Sequence, residues 1–339
     1  MKSFMKSSLR PDGRTALLYV IGAMLLLLSF ALAILLGSTP LSLSDIFKAI
    51  GGDRSSASSR IFLYVRLPRA LGSLLCGAAL ALSGAVIQGV LSNRLASPSV
   101  IGVNAGAALA VTICAALGVV GGWQIALCSF FGAFVTVAVV SLGSRHFGAS
   151  RGTVILIGVA MNALLGAISD VITVFNPDIA VSGIDFKLGD FSSVTYQKLI
   201  PAAIVILLVS VVLMTMQNEL EVLSLGEDNA RGLGLNTAVI RPLFLLLAAA
   251  LAGSAVSVCG LLSFVGLLVP HAVRRASYGS RHLLPLCALF GAALVCFSDT
   301  MARVAFAPYE IAVGIIMSLL GAPLFIVILI RSKGGYTHA

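Results

Sequence analysis

The sequence predicts an all-α, polytopic membrane protein of about ten transmembrane helices with both termini on the inner side. Three observations carry this. First, 59% of the 339 residues are hydrophobic and only 10% are charged, whereas a soluble domain carries about a quarter charged residues. So few charges cannot cover a water-facing surface of this size. Second, apolar runs long enough to cross a bilayer recur from one end of the chain to the other. Third, the basic residues between those runs fall preferentially on one side.

The first run, 15–36, follows the basic leader "MKSFMKSSLRPDGR". It is longer than the apolar part of a signal peptide and more spans follow, so it reads as a retained helix. Further runs lie at 70–91, 103–120, 123–143, 153–174, 199–216, 240–258, 283–302 and 311–330. A shorter piece, "GLLSFVGLLVP" at 260–270, brings the count to ten if it crosses as a short helix. An even count puts both termini on one side. With the N-terminus inside, fourteen of the 22 Lys and Arg fall on inner segments and eight on outer ones, which favours that orientation. The 34 glycines often share helical spacing with Ala and Ser, as in "GSLLCGAALALSGAVIQG". Small residues let transmembrane backbones approach closely. "GAALALSGAVIQGVLSNRLASP" and "LAGSAVSVCGLLSFVGLLVPH" echo each other as a distant internal pair, although composition alone produces such a match. The chain reads as one transmembrane domain, 1–339, with a cytoplasmic segment at 217–239 inside it.

Several function classes lack their residues. The six cysteines sit inside apolar runs without CxxC or Cys/His spacing, as small packing residues. The net charge of +9 is spread between spans, without the basic and aromatic cluster of a nucleic-acid platform. The sequence contains no phosphate-binding loop, zinc-binding HExxH or nucleophile elbow, so an embedded enzyme has no catalytic constellation. Asp170 and Asp299, the acids within apolar runs, lie near outer ends and read as hydrogen-bonded structural residues. A gradient-driven secondary transporter would need more intramembrane acids or an ion site. A membrane receptor without transport remains possible on these grounds alone.

One stretch is out of keeping: "SLGEDNARGLGLN", Ser224 to Asn236, charged and glycine-punctuated between two apolar runs. Glu227 and Asp228 begin a short helix, Ala230 and Arg231 continue it, and Gly232 and Gly234 end it, a good helical punctuation. It reads either as a capped connector or as a cytoplasmic docking element.

This stretch resembles the cytoplasmic coupling segment of the permease subunits of type II ABC importers, the family that imports vitamin B12, ferric siderophores and haem. The resemblance extends along nearly the whole chain. "RLPRALGSLLCGAALALSGAVIQGVLSNRLASPSVIGVNAGAALA" (66–110) is similar to the family's second and third helices. "GLLSFVGLLVPHAVRRASYGSRHLLPLCALFGA" (260–292) and "SDTMARVAFAPYEIAVGIIMSLLGAPLFIVIL" (298–329) are similar to its last three. The resemblance implies ten helices, and a second permease subunit as a homodimer or close paralogue. It further implies two cytoplasmic ATPase subunits that hold ATP and magnesium, and an extracytoplasmic substrate-binding protein. No cofactor, metal or nucleic acid is expected on this chain, and no catalytic residue. By resemblance the ATPase contact is Gly226, Glu227, Asp228, Ala230, Arg231, Gly232, Leu233 and Gly234.

The resemblance also places Arg66 and Arg69 of "RLPR" and Arg303 of "MARVAF" at positions where outer arginines pair with glutamates of the binding protein. Arginine suits this role because its planar fork holds a carboxylate bidentately; headgroup anchoring is the alternative. The family's inner gate lies between its fourth and fifth helices, here "GSRHFGASRGT", with Ser144, Arg145 and His146 as gate candidates. In the outer segment 176–199, Phe186, Phe191 and Tyr196 read as interfacial anchors or as contacts for substrate or partner. His271 reads as a structural hydrogen-bonding residue. Arg274 and Arg275 are either topology anchors or further ATPase contacts. The expected function is import of a metal chelate, ferric siderophore first, with haem, cobalamin and oxyanions as alternative cargoes, across a bacterial inner membrane.

Overall fold

The computed structural model describes residues 13–37, 41–52, 56–119, 122–146, 151–179, 183–277, 281–307 and 309–333. Within them every regular element is a helix. α1 spans Gly13–Leu35 and α2 spans Leu43–Ile50. α3 runs Ala57–Leu91, α4 Val103–Ala116, α5 Gly122–His146 and α6 Arg151–Phe175. α7 is Ile184–Leu188, α8 Tyr196–Thr215, α9 Gln217–Ser224 and α10 Glu227–Gly232. α11 is Thr237–Cys259, α12 Val265–Ala276, α13 Leu283–Val304 and α14 Val313–Lys333. Seven of these are long and apolar enough to cross a bilayer alone. With α4, α12 and α14 they form the expected series of ten.

α3 is the axis of the bundle. In its apolar stretch 78% of residues are buried, against 17% in α1 and 11% in α6. It packs on α11, α12 and α13 within the membrane. Small residues make this possible: a Cβ added to Gly77 or Gly84 would collide with the carbonyl of Gly291 or Gly266 on the facing helix. α4, α5 and α6 form a second group joined to α11 through α5, while α1 lies against α13. The six cysteines all sit within helices and form no disulfide, in keeping with a packing role.

α3 begins at Ala57, well before the apolar run at 70. Arg60, Arg66 and Arg69 lower the hydropathy of its first third. Pro68 falls inside it too, just after a π-helical turn at Phe62–Arg66. Proline lacks the N–H that an α-helix needs at that point, and one wider turn accommodates the break.

The short tenth crossing also differs in detail. Its helix starts at Val265, because 260–264 is unwound, with Gly260 at φ +71° and Phe264 at φ +67°. The break is stitched to the outer segment: Leu261 N–H donates to Phe186 O at 2.9 Å, and Asp190 N–H donates to Cys259 O at 2.8 Å. Gly314 N–H donates to Gly189 O at 3.1 Å. Non-helical backbone at membrane depth persists only where protein answers its polar groups, as here. The two segments read as an internal echo therefore fold differently, since α3 continues unbroken where α11 gives way to this loop.

Candidate functional site

The inner element is built from α9, α10 and the start of α11. Gly226 enters α10 at φ +121° and Gly234 leaves it at φ +85°, conformations that favour glycine. Ala230 is fully buried beneath the helix. Glu227 turns inward rather than toward solvent. Its Oε1 accepts from Arg231 Nη2 at 2.8 Å and its Oε2 from Arg241 Nη2 at 2.5 Å. Arg231 Nε also donates to Thr237 Oγ1 at 3.1 Å. Arg241 belongs to the first turns of α11 and is buried, so Glu227 pins α10 to the next span.

A second brace runs to the central helix. Ser92, just past α3 at φ +43°, donates from Oγ to Ser224 O at 3.0 Å. Leu220 of α9 fills the space beside Gly89, where a Cβ would lie 2.9 Å from Leu220 Cδ1. What the element offers outward is Asp228, Asn229, Gly232, Gly234 and two exposed leucines, Leu225 at 57% and Leu233 at 66%. The expected contact set therefore divides. Glu227 and Ala230 hold the element in place, whereas Asp228, Arg231, Gly232, Leu233 and Gly234 present a surface. Leu225 was not singled out in the sequence. Its exposure beside a charged turn outside the apolar runs is the signal that marks it.

The gate candidates lie next to this element. Ser144 is buried in the last turn of α5 and donates from Oγ to Ser141 O at 2.9 Å. A cavity of about 260 Å³ lies between it and the inner element, lined among others by Ser141, Ser144, Glu227, Arg231, Thr237 and Arg241. The side chains of Arg145 and His146, and residues 147–150, lie outside the described residues.

At the outer end the structure departs from expectation. Arg66, Arg69 and Arg303 are 3–5% exposed and present no free guanidinium to the surface. Asp299, fully buried, accepts from Arg69 Nε and Nη2 at 3.0–3.1 Å and lies 3.5 Å from Arg303 Nε. Arg69 Nη1 also donates to Glu310 Oε2 at 2.8 Å, and Asp190 stands 3.8 Å from Arg69 Nη2. Arg66 Nη1 donates to Ile34 O at 2.7 Å and to Leu35 O at 2.9 Å, and Arg303 Nη2 donates to Ala33 O at 3.0 Å. These two arginines cap the carbonyl end of α1, the favourable end for a cation. A guanidinium at this depth needs acceptors on its own chain, and here it has them. Asp299 is thus the structural residue the sequence suggested, while Asp170 is exposed on α6.

The aromatic residues of the outer segment also make contacts within the chain. Phe191 is fully buried, Phe186 holds the unwound loop through its carbonyl, and Tyr196 Oη donates to Leu63 O at 2.8 Å. Lys48, Arg60 and Lys187 are outer cations that do stay exposed. Lys187 lines a recess of about 450 Å³ in which Asn104, Ser263 and Ser318 stand among Leu188, Leu261, Ile315 and Leu319, a mixed polar and apolar lining that no single motif in the sequence disclosed.

The comparisons agree with this architecture. The chain matches the FecCD transport family over residues 25–331. It is 35% identical to the vitamin B12 import system permease protein BtuC of Klebsiella pneumoniae, covering 84% of this chain and 86% of that one. It is 34% identical to the hemin transport system permease protein HmuU of Yersinia pestis, covering 95% and 98%. A solved structure described as an inward-facing metal-chelate type ABC transporter superposes with a TM-score of 0.83 at 29% identity, covering 93% of this chain and 99% of that one. A helical bundle with a braced inner element, matched to these proteins over 84–95% of its length, belongs to the FecCD transport family as the membrane-spanning permease of a type II ABC importer.

Proposed function

We propose that this permease imports a metal chelate, ferric siderophore first, across a bacterial inner membrane. An extracytoplasmic binding protein delivers the cargo at the outer mouth. Two ATPase subunits, which carry ATP and magnesium, drive the transport from inside. The observation that carries this reading is the inner element. It is fixed to α3 through Ser92 and Leu220 and to α11 through Glu227, and it still exposes Leu225 and Leu233 outside the apolar layer. A rigid base with an apolar tip suits the transmission of force from a separate motor. The side of α6 and α14 is the surface proposed for a second permease subunit, because α6 is the least covered span and yet carries Asp170 toward the outside. At the outer mouth Arg69 remains the docking candidate by exchange, with a partner carboxylate taking the place of Glu310, whose side chain is 39% exposed.

Haem or cobalamin is the second reading for cargo, favoured by the relatives described as hemin and vitamin B12 permeases. Uptake of labelled ferric siderophores, haem and cobalamin at limiting iron, in cells with and without the gene, tests the proposal. Loss of one cargo fixes the substrate. Loss of none removes the metal-chelate reading. Co-purification of an ATPase with the tagged chain tests the motor independently.

A further inference from the structure

Between α5, α8 and α11 the outer half of the bundle surface opens into a cleft of about 380 Å³. Its lining changes with depth. At the rim stand Trp123, in the first turn of α5, and Gln197 and Lys198, in the first turn of α8. Lys198 Nζ donates to Ser193 O at 3.2 Å and to Ser193 Oγ at 3.3 Å, so a third N–H is available. Its stem crosses the start of α5, where a Cβ on Gly122 would lie 2.6 Å from Lys198 Cε. This places the ammonium beside the positive end of that helix.

Ser254 of α11 lines the cleft about 8 Å below the outer end of its helix, judged from helical rise. It is 2% exposed and its hydroxyl has no hydrogen-bond partner, an uncomfortable state for a polar group in apolar surroundings. Beside it, at the depth where a Cβ on Gly253 would lie 3.4 Å from Phe130 Cδ2, Phe130 and Phe131 form an apolar wall. Leu207, Leu208 and Val211 of the neighbouring α8 surface are exposed and apolar, as a lipid-facing wall must be.

We propose that this cleft binds a glycerophospholipid of the outer leaflet. The phosphate sits at Lys198, an ester carbonyl accepts from Ser254 Oγ, and an acyl chain lies along Phe130 and Phe131. Charge selects the occupant: a half-buried cation at the rim with a spare N–H, an unanswered donor below it and an aromatic wall beside that donor match a phosphodiester, an ester and a chain. The cleft shares no lining residue with the Lys187 recess, so the inference does not depend on the cargo.

Trp123 is the single tryptophan of the chain, which makes occupancy directly readable. The full-length protein in detergent is titrated with phosphatidylglycerol brominated on its acyl chains, and the fluorescence of Trp123 is followed. The expected result is saturable quenching at a few lipids per protein. Lys198→Gln raises half-saturation about tenfold, Ser254→Ala raises it about threefold, and Lys198→Arg stays within about twofold of the wild type. Brominated diacylglycerol, which lacks the phosphate, quenches weakly and without saturation. Quenching that grows linearly with bulk lipid, or that is equal for the two lipids, or that is unchanged in Lys198→Gln, overturns the proposal. Absence of quenching in the assembled complex also overturns it, because another protein surface then covers the cleft. Size-exclusion profiles show whether each variant is folded, and Lys198→Arg keeps the test decisive if Lys198→Gln is not.

Discussion

At the outer end of α3, Arg69 is enclosed by Asp299, Glu310 and Asp190, and Arg66 and Arg303 close over the carbonyls of α1. At the inner end, Glu227 stands between a buried Arg241 and an exposed Arg231. Both ends use arginine and carboxylate, but the surroundings differ. In the outer cluster the three guanidinia and Asp299 are buried and each guanidinium is answered within the chain, with only Glu310 reaching well into solvent. The inner cluster is half open and its neighbours are bare leucines. A buried ion cluster fixes a shape, whereas a half-open one fixes a base and leaves a tip exposed. Residue type alone does not distinguish the two; depth does.

The comparison breaks most severely at Asp299. Asp299→Ala leaves Arg69 and Arg303 buried without their main acceptor, a loss of about 3–5 kcal/mol. The expected outcome is little folded protein in the membrane, read by detergent-extracted yield and thermal unfolding. Glu227→Gln is milder, at about 1–3 kcal/mol, because Arg231 reaches water. Its expected signature is lower transport per folded molecule, with ATPase activity less responsive to cargo. Ser92→Gly keeps the left-handed backbone and removes one hydrogen bond, about 1 kcal/mol. Tighter coupling of ATP hydrolysis to uptake in that variant would contradict the brace. Glu310→Gln costs at most about 1 kcal/mol, since its pair with Arg69 is partly solvated. Leu233→Asp sharpens the contrast from the other side. Thermal stability should stay within about 0.5 kcal/mol of wild type, while recovery of the ATPase on the tagged chain falls at least tenfold, as for loss of an interface anchor.

Most of the crossing elements were legible because bilayer length and hydropathy impose them. The start of α3 was not. Arg60, Arg66, Pro68 and Arg69 disguise a helix whose charges are answered by residues distant in sequence. Asp299 lies 230 positions from Arg69, and no local pattern announces that pairing. The inner element was legible as an anomaly of composition, but the inward turn of Glu227 was not, since its partner Arg241 sits in the next span. Ser92 gave no signal at all, because its left-handed backbone and its bond to Ser224 exist only once α9 folds back. The outer arginines show a further limit of local sequence. Resemblance named a partner for them outside the chain, and the fold adds acceptors within it, Asp299, Glu310 and the carbonyls of α1.

The unbroken length of α3 has a mechanical consequence. Its 35 residues span about 52 Å, with the braced element at one end and the arginine cluster about 18 Å short of the other. A tilt of about 5° around the inner end sweeps the outer end through roughly 4–5 Å, close to the pitch of one helical turn. Small angular work at the cytoplasmic face therefore arrives outside as a displacement large enough to change which residues meet across the mouth.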